Sequence, residues 1–137
     1  MSDAAEHRRG LPYRVVFWLA AAYNLAFAAW VGLWPRAPFA LLRVGEPWPG
    51  ALTRLLALPI AAFGFVYVYA ALRPGRARVL VALGLLSKVG PPLVWLAAVL
   101  CGLWPARTFV LVLFDDLVWW LPFSLFLLRF RRPRPVA

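Results

Sequence analysis

The sequence predicts an all-α integral membrane protein: a four-helix antiparallel bundle with both termini on the cytoplasmic side. Three observations lead there. Of the 137 residues 64% are hydrophobic and the mean hydropathy is +0.78, well outside the range of ordinary soluble domains. The apolar residues gather into four runs, each long enough to cross ~30 Å of hydrocarbon as a helix. Finally, the arginines gather around the ends of those runs and leave no continuous basic stripe, as topology signals do and a nucleic-acid surface does not. The length fits one transmembrane domain, residues 1–137.

The first predicted span is residues 13–34, YRVVFWLAAAYNLAFAAWVGLW, halted by Pro35. Arg8, Arg9 and Arg14 resemble the head of a signal peptide. The apolar stretch before Ala20-Ala21-Ala22 is too short for one, and apolar residues continue to Trp34, so an uncleaved anchor is expected. Asn24 falls at the midpoint of the span and shares a face with Ala20, Ala21 and Ala28. That small-residue face invites a second helix to approach closely. Residues 35–50 hold four prolines yet also Phe39, Leu41 and Leu42, a composition that predicts a short helix lying in the membrane interface.

The second span, 51–72, presents Thr53, Ala57, Ala61, Gly64 and Ala71 on one face with Tyr67 at its edge, and Pro59 is expected to kink it. The third, 79–103, carries Gly90-Pro91-Pro92 at its centre. Two successive prolines remove two backbone donors, so a bend or local unwinding is expected just after Lys88. Broken helices at that depth need protein or a wet cavity over the opened backbone, and they recur at transporter binding sites. The fourth span, 108–128, carries Asp115 and Asp116 near its middle. Carboxylates there cost ~2.5–3.5 kcal/mol each on insertion scales, so a compensating group is required.

Lys88 is that group, the only lysine in the chain. By helical rise it lies roughly 9 Å from the level of the aspartates, a distance that its stem and the bend can close. One ammonium cannot balance two carboxylates. One aspartate is expected to pair with Lys88, leaving the other protonated, hydrogen-bonded to a group such as Asn24, or wetted by a cavity. Trp95, Trp119 and Trp120 lie deep enough to be packing bulk or pocket walls, whereas Trp34, Trp48 and Trp104 fit an interfacial belt. GLWPRA (32–37) and GLWPAR (102–107) end the first and third spans alike, which reads as shared helix-stop punctuation.

Orientation follows the arginines. Ten lie before or at the start of the first span, between the second and third, and after the fourth; Arg36, Arg43, Arg54 and Arg107 lie on the other side. The positive-inside rule then puts both termini in the cytoplasm, and the tail RFRRPRP should attract anionic lipid.

Several chemistries are disfavoured. The one histidine, His7, lies in the N-terminal tail, so haem or zinc ligation lacks donors. Ser87 and Ser124 have no base partner, and Cys101 reads as an inert buried thiol near a span end. No cofactor, metal or nucleic acid is expected.

At GLLSKVGP (84–91), DLVWWLPF (116–123) and Tyr23-Asn24-Leu25 the chain resembles a group of short four-span bacterial membrane proteins, over nearly its whole length. Some of these carry the label alkyl hydroperoxide reductase. The resemblance instead implies an inner-membrane protein without a peroxidatic cysteine and names no reaction. In the group's pattern an Asn precedes the Asp of the tryptophan motif; here that position is Asp115, which makes Asp116 the group's carboxylate. Three function classes follow. The chain is a small-solute or proton-coupled binding or transport module centred on Lys88, Asp115, Asp116 and Asn24. Or it is an accessory subunit that packs on another membrane protein or on its own copies, with the ion pair as helix glue. Or it is an intramembrane enzyme acting on a lipid or quinone, for which no catalytic set is recognisable.

Overall fold

The computed structural model describes residues 3–46 and 49–130, with side chains from residue 11 onward. Among these every regular element is helical. The elements are α1 (Asp3–Leu33), α2 (Ala37–Leu42), α3 (Gly50–Leu72), α4 (Arg78–Ser87), α5 (Gly90–Leu100), α6 (Phe109–Val112) and α7 (Val118–Arg129). Single 3₁₀ turns cover Pro74–Arg76 and Ala106–Thr108, and a π turn covers Leu113–Leu117 between α6 and α7. Four stretches are long and apolar enough to cross a membrane: Leu11–Leu33, Gly50–Leu72, Arg78–Leu100 and Ala106–Arg129. The third joins α4 to α5 across a break, and the fourth runs through the π turn.

Helices α1 and α3 form the most extensive pair, α4 packs on α7, and α5 packs on α6. The two halves meet where α3 touches α4 and α1 touches α7, while α3 and α5 share no more than isolated contacts. The small-residue faces make the first pairing possible. Ala20, Ala21, Asn24 and Ala28 of α1 are buried, as are Thr53, Ala57, Gly64, Ala70 and Ala71 of α3. A Cβ on Gly64 would stand 2.7 Å from the Leu25 side chain, so the helices lie too close there for any larger residue without a shift.

One end of the bundle is densely packed. Phe17, Tyr67, Val81, Phe123 and Phe126 are almost fully enclosed, and the rings of Phe17, Tyr67, Phe123 and Phe126 meet edge-on or tilted at centroid distances of 4.9–5.7 Å. Gly84 admits the Tyr67 ring, since a Cβ there would lie 2.8 Å from the hydroxyl and 2.9 Å from Cε1. The other end has only a small cluster of Ala28, Val31 and Ala57 between α1 and α3.

Two connections are held by arginines. Arg14 Nη2 donates to Leu72 O at 3.0 Å, joining the start of the first span to the end of the second. Arg107 donates from Nε to Leu42 O (3.1 Å) and from Nη2 to Arg43 O (3.2 Å), capping the carbonyl end of α2. That short helix buries Pro38, Phe39 and Leu42 and ends at Arg43 in the left-handed region (φ 53°).

The two GLWP segments finish their helices differently. Gly32 is still inside α1, whereas Gly102 has φ +71° and closes α5 in a Schellman motif, with Leu103 N bonded to Ala98 O and Gly102 N to Val99 O. Because α5 stops at Leu100, Cys101 lies in the turn beyond it and is exposed, contrary to the buried position expected of it. Trp48 and most of the Arg-rich tail lie outside the described residues.

Replacing Gly84 by Ala should cost ~1–3 kcal/mol, because the rigid Tyr67 ring has to move. Gly90→Ala, whose Cβ would meet nothing within 4 Å, should be neutral or slightly stabilising. Unfolding of both variants in mixed micelles, followed by far-UV circular dichroism, checks the contrast.

Candidate functional site

The break between α4 and α5 sets up the polar centre. Lys88 and Val89 form only short-range bonds, from Lys88 N to Leu85 O and from Val89 N to Leu86 O, before α5 restarts at Gly90. In a continuous helix the Lys88 carbonyl would accept from residue 92, but Pro92 has no N–H. The indole of Trp120 supplies the missing donor, Nε1 lying 3.0 Å from Lys88 O.

The reverse contact runs from the Lys88 side chain to the fourth span. Its Nζ donates to the backbone oxygen of Asp115 at 2.6 Å and to Asp116 Oδ1 at 3.4 Å, and stands 3.8 Å from Asp115 Oδ1. All of this happens at the π turn, where Val118 N bonds back to Leu113 O. The extra residue opens the regular ladder of backbone bonds, and a side chain from outside can then reach a carbonyl. Each of the two spans thus gives a side-chain donor to the other's opened backbone.

The three charged side chains are largely enclosed: 7% of the Lys88 side chain is exposed, 4% of Asp116 and 19% of Asp115. Asp116 is the deeper carboxylate and the one hydrogen-bonded by the ammonium. Asp115 contributes its carbonyl, while its Oδ1 is buried and accepts no hydrogen bond. Desolvating three charges is costly even when they are paired, and removal of one partner leaves an uncompensated charge behind.

Beside this centre lies a cavity of about 310 Å³. Its walls come from every span and from α2: Asn24, Phe27 and Val31 of α1; Pro38 and Phe39 of α2; Thr53, Leu56, Pro59, Ile60 and Phe63 of α3. From the third and fourth spans come Ser87, Lys88, Pro91, Trp95, Leu111, Val112, Asp115 and Asp116. The cavity occupies the half of the bundle where α3 and α5 diverge. It is mostly apolar with a few polar groups, the usual make-up of a small-molecule site, and its charged groups come from the third and fourth spans.

The residues singled out by sequence take different places. Lys88 meets both aspartates, and all three border the cavity with Trp95. Trp95 is fixed by donating to Thr108 Oγ1 (2.9 Å), and Thr108 in turn donates to Pro105 O. Asn24 borders the cavity too, but its amide nitrogen donates to Ala20 O of its own helix at 2.8 Å and to neither carboxylate. Trp119 is not part of the lining; it packs on Tyr23 and Phe123. Sequence reasoning grouped Trp120 with the other deep tryptophans and gave it no partner, although a signal existed: a proline four residues after Lys88 leaves a carbonyl in need of a donor. Ser87 lines the cavity while its hydroxyl donates to Gly84 O. Among the described residues no group of three or more His, Cys, Asp or Glu could hold a metal ion. No family model, curated protein or solved structure matches the chain.

Trp120→Phe should destabilise the bundle by ~1–3 kcal/mol, the cost of a buried acceptor left unpaired. In a Pro92→Ala background the restored N–H can satisfy Lys88 O, so the same change should cost clearly less. A double-mutant cycle of unfolding free energies in one detergent measures that coupling.

Proposed function

We infer that this chain is a membrane-embedded binding protein that takes a small solute into the cavity beside Lys88, Asp115 and Asp116. The observation carrying this reading is that a cavity built by every span ends on the one cluster of intramembrane charges. Ionisable groups at such depth generally mark ligand, ion or proton pathways. A pair serving only to hold helices together has no need of an adjoining space lined by Asn24, Ser87 and two carboxylates. Transport of the solute, or of a proton with it, is the extension of this reading that a titratable carboxyl pair supports.

The setting is a bacterial cytoplasmic membrane, crossed four times by antiparallel helices with both termini inside. The arginine distribution favours that orientation. The Arg14–Leu72 and Arg107–Leu42 contacts favour alternating directions, since each joins the start of one span to the end of another or to the segment just after it. A second role has its own support. The exchange of donors between Lys88 and Trp120 ties the third span to the fourth, so the centre also serves as helix glue within the bundle, and the chain's exposed apolar faces suit an accessory subunit.

Purification in native lipid, followed by mass spectrometry of retained small molecules, tests the binding reading. Wild-type protein should retain a molecule that is not bulk lipid, and Ile60→Trp, which fills the cavity without touching the charges, should lose it while melting normally. Equal retention by a normally folded Ile60→Trp variant would remove the cavity from consideration. Asp116→Asn separates the two roles: a folded variant with altered retention supports a binding role, and a variant that fails to fold supports glue.

A further inference from the structure

The shape and charge of the cavity restrict what fits it. We propose that the ligand is a single-chain amphiphile whose head is a hydrogen-bond donor, cationic or neutral but not anionic, and that it enters sideways from the hydrocarbon between α3 and α5. This deepens the binding reading given above and rests on it.

The access route follows from which helices touch. α3 packs on α1 and α4, and α5 packs on α6, but α3 and α5 are in no more than isolated contact. The walls that face each other across that gap are exposed: Leu56 at 48% and Pro59 on α3, and Pro91 on α5. The end of the cavity is covered differently. Pro38 and Phe39 of α2 are buried there, and Arg107 fastens α2 to the start of the fourth span. The open side is therefore the one facing lipid, and a molecule reaching it must first be soluble in the bilayer.

The nature of the head follows from which polar atoms are already used. The Lys88 ammonium is committed to the Asp115 carbonyl and the Asp116 carboxylate. Asp115 Oδ1 is buried, accepts no hydrogen bond, and has its nearest cation 3.8 Å away. What the site offers is the Asp115 carboxyl, whose side chain is 19% exposed, as an acceptor beside one ammonium and the second carboxyl of Asp116. A donor head gains a hydrogen bond there, whereas an anionic head adds a further acid group to a site that already holds two against one ammonium, in a medium that screens charge poorly. The remaining walls, among them Phe27, Ile60, Phe63 and Leu111, suit an alkyl or ring body.

The test uses the full chain in phosphatidylcholine nanodiscs, with empty nanodiscs as the background. Three probes share one tail and differ in the head: n-decylamine, n-decanol and n-decanoate. Equilibrium binding at pH 7 should be saturable for the amine and the alcohol, with the amine at least about tenfold tighter than the decanoate, the scale of one charge-assisted hydrogen bond. Asp115→Asn keeps the backbone contact to Lys88 and should bring the three probes to within about threefold of one another. Ile60→Trp should abolish saturable binding of all three. If Ile60→Trp abolishes binding but decanoate is the preferred probe, the proposed head chemistry is overturned and the cavity reading stands. If no probe binds saturably, or Ile60→Trp changes nothing, both are overturned. An Asp115→Asn variant that folds and keeps the full preference for amine would overturn the assignment to Asp115.

Discussion

The ammonium of Lys88 is the constraint on which the rest of the molecule depends. A cation carried into hydrocarbon needs enough acceptors to replace water, and here they come from a backbone carbonyl and a carboxylate on the neighbouring span. The carbonyl is not free in a regular helix, whose ladder already uses it. The carbonyl is reachable because the fourth span widens into a π turn at Asp115 and Asp116, and the cation sits where the third span breaks before Pro91 and Pro92. Both irregularities leave backbone groups in need of partners, and each span supplies what the other lacks. The indole of Trp120 completes the exchange from the fourth span back to the third. Membrane interiors tolerate interrupted backbone only where protein covers it, and this mutual covering meets that condition.

The same break divides the bundle. On one side of the polar centre, small residues draw α1 and α3 together, and the rings of Phe17, Tyr67, Phe123 and Phe126 fill the space. On the other side α5 has no extended contact with α3, and the cavity opens beside them. The cavity thus lies beside the point where the third span restarts at Gly90, with Pro91 and Pro92 in the first turn of α5. Thr53 and Asn24, both buried, line its α1–α3 wall. The pairing that packs the first and second spans also brings polar groups to the opening.

Much of this was legible in the chain because the features involved are local. Run length marked the four spans, the Gly90-Pro91-Pro92 triplet marked the break, and spacing by helical turns marked the faces of Asn24 and Thr53. The Lys88–aspartate pairing was legible by scarcity, since one lysine and two adjacent acids at similar depth have few other ways to be compensated. The π turn was not. Its occurrence depends on where Lys88 arrives, and a wheel drawn at constant period assigns Asp115 and Asp116 to faces without allowing for an extra residue. Trp119 and Trp120 could not be told apart by composition, and only the position of the unpaired Lys88 carbonyl decides between them. Cys101 was misjudged because the helix ends at Leu100, three residues earlier than hydrophobicity alone suggested. The likeness of GLWPRA and GLWPAR was equally uninformative about conformation, since one glycine remains helical and the other turns left-handed.

The hold of Arg107 on α2 has a mechanical consequence. One planar guanidinium spans two successive carbonyls of a helix end that is already locked by a left-handed residue. The segment between the first two spans is therefore tied to the start of the last. A rocking motion at that face would have to shear two charge-assisted bonds at once, whereas separating α3 from α5 breaks almost nothing. Resistance to displacement is therefore uneven across the bundle, concentrated where Arg107 meets α2 and least where α3 faces α5.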